Sequence, residues 1–448
     1  MYDVIVCGGG PSGINAAISA ARMNSKVLLI ETTGLIGGNS VLSLVGPWMT
    51  FHNKGHQIVK GLAQEMVSRL QVNQVSMGHI PDPLAFCDTI TPIDVEGVKA
   101  LFFEMIEEEG IDLLLHAPIM DVIKEGNQIK GVICATKSGM LSFHGRVIID
   151  ATGDGDVCVM MGAKYMLGRI ADGLSQPMTM IFHVANVNMD LCKDYMKEHP
   201  QEFVQKEAYD YGYLGISGFF SKVKEAKNNN EFSLPRDRVL LFEEVRPGTV
   251  SVNMTRVQGL SGVDALERTK AEQMARKQIK EAFAFLQKYV PGFEHSYILR
   301  TPSQIGIRET RHIIGDYVMT VEDVLACKEF ADSIALSGFP MDIHSPNQES
   351  LELLDQGDDF GYEIPMRSLL PKGINGLIVS GRCISATHEA AASLRVTPTV
   401  MAIGEAAGIL ASIAVQTNLA PRDVHAFAVQ EQLKKNDQVF KRSNHVSN

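Results

Sequence analysis

The feature that most constrains this chain stands at its start, in the stretch YDVIVCGGGPSGINAAISAARMNSKVLLIE, residues 2–31. Tyr2–Cys7 is a short apolar run rich in β-branched residues, which suits a buried parallel strand. Gly8, Gly10 and Gly13 follow in G-x-G-x-x-G spacing, with Pro11 and Ser12 between the last two. The first glycine permits a tight turn. The second lets a pyrophosphate approach the backbone, and the third lets helix and strand pack closely. Asn15–Met23 predicts an Ala-rich helix whose N-terminus offers N–H groups and a positive dipole end to phosphate. Lys26–Ile30 predicts a second strand ending at Glu31, an acid suited to a ribose 2′-hydroxyl and repellent to a 2′-phosphate. Such a unit binds NAD or FAD, and this stretch alone does not distinguish them.

With 448 residues, the chain is long enough for two or three domains. A formal net charge of −11 and the lack of a basic stripe argue against nucleic-acid binding. The first strand begins at Tyr2, which predicts no signal or transit peptide and a cytoplasmic protein. Val396–Val415 is apolar enough to resemble a membrane span. However, Pro398, Glu405 and many small residues predict a buried helix instead. Seven cysteines lie at 7, 87, 134, 158, 192, 327 and 383, without a C-x-x-C pair. No zinc ribbon, iron–sulfur run or dithiol centre is expected, and no metal site.

Further along, Gly37 and Gly38 in GLIGGNS form a second close-approach turn. Residues 51–92 read as helices and loops. Residues 95–110 predict an amphipathic helix capped by Gly110. Residues 111–150 predict strands with turns at Glu125-Gly126-Asn127 and Ser138-Gly139. They end in IIDATGDGD, a buried strand entering a glycine turn; GLIVSGRCIS, near 381, repeats that pattern. The expected organisation is a nucleotide-binding domain over 1–164 and 366–430, an inserted α+β substrate or cap domain over 165–365, and a polar frayed tail over 431–448. The fold class is α/β, Rossmann-like, with a parallel central sheet.

Three glycine turns, at 8–13, 151–155 and 381 onwards, suit a ligand that reaches across the sheet, as FAD does. In these motifs, together with VNMTRVQG, IGIRETRHIIGDYVMTVEDV, YEIPMRSLLP and GRCISATHEAAASLRVTPTVMAIGEAAG, the chain resembles the FAD-dependent oxidoreductases with two dinucleotide-binding domains. These are relatives of the fumarate reductase and succinate dehydrogenase flavoprotein subunits. The motifs stand in family order over nearly the whole chain.

The resemblance implies roles by position. Gly8, Gly10, Pro11, Ser12 and Gly13 would meet the pyrophosphate, and Glu31 the adenosine ribose. Gly38, Asn39 and Ser40 would lie near the ribityl chain or flavin. Ile119 would meet the adenine through its backbone, and Ala151, Thr152 and Gly153 would line the adenosine side. Gly381, Arg382 and Ser385 would lie near the ribityl and pyrophosphate. No His lies between Leu35 and Met49, where covalently flavinylated relatives attach the cofactor, so FAD is expected to be non-covalent. Thr397 is the expected N-cap, and Pro398 the first residue, of a helix aimed at the flavin N1–C2=O edge. Its dipole would stabilise the negative charge that reduction builds there.

Candidate catalytic residues are Arg308, His344, His388 and Arg395, with Arg311 and Asp342 beside them. Arg395 stands where fumarate-reductase-like relatives hold a carboxylate, which an Arg fork binds bidentately. Arg308 and Arg311 would be neighbours on a helix, either serving substrate or pairing with Glu309 or Asp316. His344 and His388 could move protons or simply pack, and Asp342 could orient His344. Asp154 and Asp156 could cap a helix. No second βαβ unit for NAD(P)H is visible, so a separate electron donor or acceptor is expected. The reaction implied is hydride transfer between flavin N5 and a small, carboxylated substrate, with C–C desaturation or C=C reduction favoured over alcohol oxidation. Three alternatives are an NAD-dependent dehydrogenase, a non-redox flavoprotein and the flavoprotein subunit of an electron-transfer complex. Flavin colour, electron exchange and a co-purifying partner separate them.

Overall fold

The computed structural model describes residues 1–204, 212–344, 351–354 and 359–445. The opening unit consists of β1 (Tyr2–Cys7), α1 (Pro11–Arg22) and β2 (Val27–Ile30). The helix begins at Pro11, four positions before the expected Asn15. Proline lacks only an N–H that the first turn leaves unpaired anyway, and extended Gly10 precedes it as cap. In α2 (Val95–Glu108), the Asp94 side chain caps the first turn through the Glu96 and Gly97 N–H groups. Gly110, at φ +61°, releases the chain from the helix.

The central sheet then adds β3 (Asp112–Leu114), β4 (Ile119–Glu125), β5 (Gln128–Thr136) and β6 (Gly139–Asp150), in the order β3-β2-β1-β6-β5-β4. The turns of the β4–β6 meander fall at the expected glycines. β6 is shared: its first half pairs antiparallel with β5, and its second half pairs parallel with β1. On β1, Val4 and Val6 face the main core while Ile5 and Cys7 face a second apolar layer. The strand is covered on both faces, so its apolar run is continuous.

A separate core draws on residues between Met178 and Ile307. Its sheet contains β7 (Phe182–Ala185), β8 (Gly215–Gly218), β9 (Val239–Glu243), β10 (Val250–Val252) and β11 (Tyr297–Arg300), in the order β8-β9-β10-β7-β11. Helix α3 (Ala265–Tyr289) packs on it through Ala271, Ala275, Ile279, Ala282 and Leu286. Residues 165–365 do not share one core. Met319, Ile334, Leu336, Met341, Tyr362 and Ile364 pack in the nucleotide-binding core instead.

The chain continues through β12 (Met341–His344), β13 (Leu377–Val379), α4 (His388–Leu394), α5 (Thr397–Thr417) and α6 (Ala426–Lys435). β13 joins the central sheet parallel to β6. Helices α1 and α5 meet at glycines: a Cβ on Gly404 would lie 2.1 Å from the Ser12 carbonyl oxygen, and one on Gly408 2.2 Å from that of Ala16. Among the described residues, α5 is the one helix long and apolar enough to cross a membrane, and 94% of its most apolar window is buried inside the fold. Two expectations need correction. Residues 51–92 hold short strands as well as a helix; Thr89–Thr91 pairs with Trp48–Met49 on one side and with Ile80–Pro81 on the other. Residues 431–440 are not frayed: Leu433, Val439 and Phe440 are core residues, and Gln438 and Asn436 bond buried Glu405.

Candidate active site

Cys7 is in register with Ile30 and Asp150, and Asp150 with Val379. The parallel strands therefore end together, and the three glycine turns leave the sheet at one carboxyl edge. That edge is where open α/β sheets bind ligands. The turns also touch one another. A Cβ on Gly8 would strike the Ala151 carbonyl oxygen at 2.4 Å, and one on Gly13 the Gly8 carbonyl oxygen at 1.9 Å. The Ser12 and Ser380 hydroxyls are 2.7 Å apart, beside Gly381. Gly10 alone faces space, because a Cβ there would meet nothing closer than Gly38 Cα at 3.9 Å. No side chain caps α1, and its first turn holds no acid. Glu31 accepts the Gly9 and Thr33 N–H groups, each at 2.8 Å, which folds the β2 turn around its carboxylate. Ala117, two residues before Ile119, donates to the Glu31 carbonyl oxygen, so the start of β4 borders that turn.

Several expected cofactor residues have partners within the protein. Asn39 donates to the Ile307 carbonyl oxygen at 3.0 Å, Ser40 accepts the Trp48 indole N–H, and Ser385 accepts the Gly315 N–H. Thr152 donates to Asp150. Arg382 reaches Asp154 at 2.7 Å, and Thr310 donates to the same oxygen. Asp154 is thus a clamp for Arg382. Thr397 is the first residue of α5 rather than its cap. Val396 occupies the cap position with no side-chain acceptor, and Thr397 Oγ1 lies 3.4 Å from Ser40. The first turn of α5 is buried and holds no acid, so its N–H groups are left for a ligand.

A second set of residues forms a half-buried charged cluster, the arginine pocket, just before α5. Arg395 Nη2 lies 3.5 Å from Asp342 Oδ2 and 3.3 Å from Gln176 Oε1. Asp342 and His344 project from the same face of β12, with His344 Nε2 at 3.0 Å from Asp342 Oδ2. Arg308 donates to the Pro177 carbonyl oxygen and to Thr179 Oγ1, each at 2.7 Å. Burial, then the Arg395 and Arg236 guanidiniums, push its pKa well below that of an ordinary arginine. Burial alone would raise the Asp342 carboxyl. Instead, His344, Arg395 and Arg308 hold it well below the usual carboxylate range. Burial carries His344 down to about 3, so its ring is neutral at physiological pH.

The expected helix around Arg308 and Arg311 is not formed. Arg311–Ile313 is a strand paired with Tyr165–Leu167, and Arg311 turns away to Asp156 at 2.6 Å, not to Glu309 or Asp316. His388, the first residue of α4, places Nδ1 2.8 Å from both oxygens of Glu309. Four residues absent from the sequence reading of the site therefore belong to it: Gln176, Arg236, Glu309 as a partner of His388, and Asp154 as a partner of Arg382. Glu309 was the most accessible of these, since it stands inside the IRETR motif.

The model of the FAD dependent oxidoreductase family matches residues 3–433. The chain belongs to that family. A 139-residue segment is 30% identical to urocanate reductase of Eggerthella lenta, and a 176-residue segment is 30% identical to the tRNA uridine 5-carboxymethylaminomethyl modification enzyme of Alkaliphilus metalliredigens. These segments cover 30% and 38% of this chain but only 22% and 26% of those proteins, about a quarter of their length. Among solved structures, a flavin-dependent brominase superposes with a TM-score of 0.51 over 97% of this chain and 83% of its own, at 11% identity, a likeness of fold. The cradle fits FAD on its own terms: open space at Gly10 and two uncapped helix N-termini, one of them deeply buried, are what an anionic dinucleotide requires.

Proposed function

We propose that this flavoprotein exchanges a hydride with a small carboxylated substrate, desaturating a C–C bond or reducing a C=C bond in preference to oxidising an alcohol. The observation that carries the reading is the half-buried arginine pocket. Arg308 has no carboxylate at ion-pair distance among the described residues, and Asp342 is the one such partner of Arg395. Guanidiniums held largely out of water without matching charge favour an anion, and their forks suit a carboxylate.

Gly10, the α1 N-terminus and Glu31 would hold the adenosine diphosphate part of FAD without a covalent link, and the α5 N-terminus would face the flavin. Bound FAD supplies hydride exchange at N5. Arg395 is two residues before α5, so the pocket adjoins that helix N-terminus. Arg308 and Arg395 would grip the substrate carboxylate. As an adjacent C=C bond takes up a hydride, negative charge moves onto that carboxylate, and the two guanidiniums stabilise it. Asp342 fixes Arg395, and neutral His344 donates to Asp342. A separate electron donor or acceptor completes each cycle. Urocanate reductase, which matches part of the chain, is consistent by name with the reductive direction.

The test is a spectral titration of oxidised holoprotein with a saturated monocarboxylate or dicarboxylate and with the corresponding amides. The acids are expected to perturb the flavin band saturably and the amides not, and Arg395→Met is expected to abolish the response while retaining FAD. Equal perturbation by acids and amides, or an unchanged response in Arg395→Met, would overturn the reading.

A further inference from the structure

Beside the arginine pocket lies a buried group of three side chains with a defined hydrogen-bonding sense. His388 Nδ1 is 2.8 Å from Glu309 Oε1 and from Oε2. His312 Nε2 is 3.3 Å from Glu309 Oε1, and the Gln176 N–H donates to Oε2 at 2.8 Å. His388, Glu309 and His312 are 3%, 1% and 1% exposed, so no bulk water competes for these bonds. An ionised carboxylate only accepts hydrogen bonds. Burial opposes that ionisation, but the bonds from His312 and His388 hold Glu309 at about 2. Both histidines must therefore donate to it. His388 then carries a proton on Nδ1, which leaves Nε2 as the ring atom able to exchange one.

That Nε2 has no partner among the described residues, and neither does His312 Nδ1 or the side-chain nitrogen of Gln176, which is 2% exposed. Leaving a buried polar atom unpaired costs about 1–3 kcal/mol. Three such atoms stand together in this one group. The group is joined to the arginine pocket through one residue, because Gln176 binds Glu309 by its backbone and Arg395 by its side chain.

We propose that Glu309 is a positioning residue that fixes the His388 tautomer, so that His388 Nε2 exchanges the substrate proton in the reaction proposed above. Each hydride gained by one carbon of a C=C bond is matched by one proton on the neighbouring carbon. In reduction, the protonated ring gives up its Nε2 proton as the new C–H bond forms, and one solvent proton restores it. In desaturation, the Nε2 lone pair takes the proton as the C–H bond breaks, and the ring returns it to solvent. Nδ1 keeps its proton on Glu309 throughout, and the carboxylate stabilises the charged ring. The other charges around this unit are His312 on the strand Arg311–Ile313, Arg395, and Asp172 in the 168–174 turn.

Nitrogen NMR of the FAD-loaded protein, labelled at the histidine ring nitrogens, tests this without a substrate. The signals missing in His388→Gln are expected to report a protonated Nδ1 and a bare Nε2. In Glu309→Gln, whose amide can also donate to the ring, those signals are expected to become a mixture of tautomers, and Glu309→Asp is expected to keep the single tautomer. If Glu309→Gln does not fold, Glu309→Asp and the wild type still read the tautomer. A wild-type His388 protonated on Nε2, or a Glu309→Gln spectrum equal to wild type, would overturn the proposal. With a carboxylated substrate in hand, Glu309→Gln is expected to lower kcat at least tenfold with KM within about twofold and flavin content unchanged. A kcat near wild type would also overturn it. Failure of every carboxylate as substrate would instead sink the wider reading and leave the tautomer result standing.

Discussion

Asp342→Asn tests the arginine pocket through stability as well as through chemistry. The substitution keeps shape and volume but removes the one carboxylate at ion-pair distance from Arg395 among the described residues. At 3.5 Å and an effective dielectric constant of about 20, the Asp342–Arg395 attraction is about 5 kcal/mol before desolvation. Removing one partner of a buried pair costs about 3–5 kcal/mol. Taking the lower figure, and an unfolding entropy of about 2.1 cal/mol/K per residue, which for this chain is roughly 1 °C per kcal/mol, thermal unfolding of the holoprotein should fall by at least about 3 °C. The same change leaves Arg308 and Arg395, which repel each other, with no carboxylate at ion-pair distance from either among the described residues. A small dicarboxylate such as malonate should then restore more stability to Asp342→Asn than to wild type, by up to about 2.7 kcal/mol at a hundredfold excess over its Kd. The assay is thermal unfolding followed by flavin release, with malonate and malonamide at matched ionic strength. An Asp342→Asn protein that melts within about 2 °C of wild type, or responds no more strongly to malonate than wild type does, would refute the reasoning.

Other outcomes follow from the same structure. Gly404→Ala places a Cβ 2.1 Å from the Ser12 carbonyl oxygen, so α1 and α5 must separate; a loss of roughly 1–3 kcal/mol or more and weaker FAD retention are expected, read by unfolding and by flavin loss on dilution. Glu309 is held at about 2, against an ordinary value near 4.5 in the unfolded chain. Its stabilisation, about 3 kcal/mol, is complete above about pH 4.5 and is lost as pH falls through 2, so the stability gap between wild type and Glu309→Gln should close over that window. Burial, then Asp94, raises Glu244 to about 8. A raised carboxyl loses its stabilising effect as pH climbs from about 4.5 through 8, so Glu244→Gln should gain on wild type across that range and hold its advantage at pH 9. Unfolding temperatures at pH 6 and 9 would check this.

The sequence reading was strongest where local chemistry sets the structure. The first strand, the 95–108 helix and its Gly110 exit, and the meander turns follow from apolar runs and glycines acting within a few residues. The start of α1 differs from its expectation because Pro11-Ser12-Gly13 reads as a turn, although proline is at home in a first helical turn. The tail differs from its expectation because polar residues need not be exposed: Gln438 and Asn436 satisfy buried Glu405. In the site, the glycine turns, Arg308, His344, His388 and Arg395 were all visible as motif residues. Their grouping was not. Arg236 and Gln176 come from segments without a motif and reach the pocket only through tertiary packing, and Arg311 leaves it because a strand, not a helix, carries it.

The most direct test of the account is anaerobic turnover of the reduced flavin. Holoprotein reduced with dithionite would be mixed with an α,β-unsaturated carboxylate or with its carboxamide, and return of the oxidised flavin band would be followed. The account predicts reoxidation by the carboxylate, formation of the saturated acid, and at least a hundredfold slower reaction with the carboxamide and in Arg395→Met. Equal rates for acid and amide, or no reoxidation by any unsaturated carboxylate while an alcohol reduces the oxidised enzyme, would contradict it.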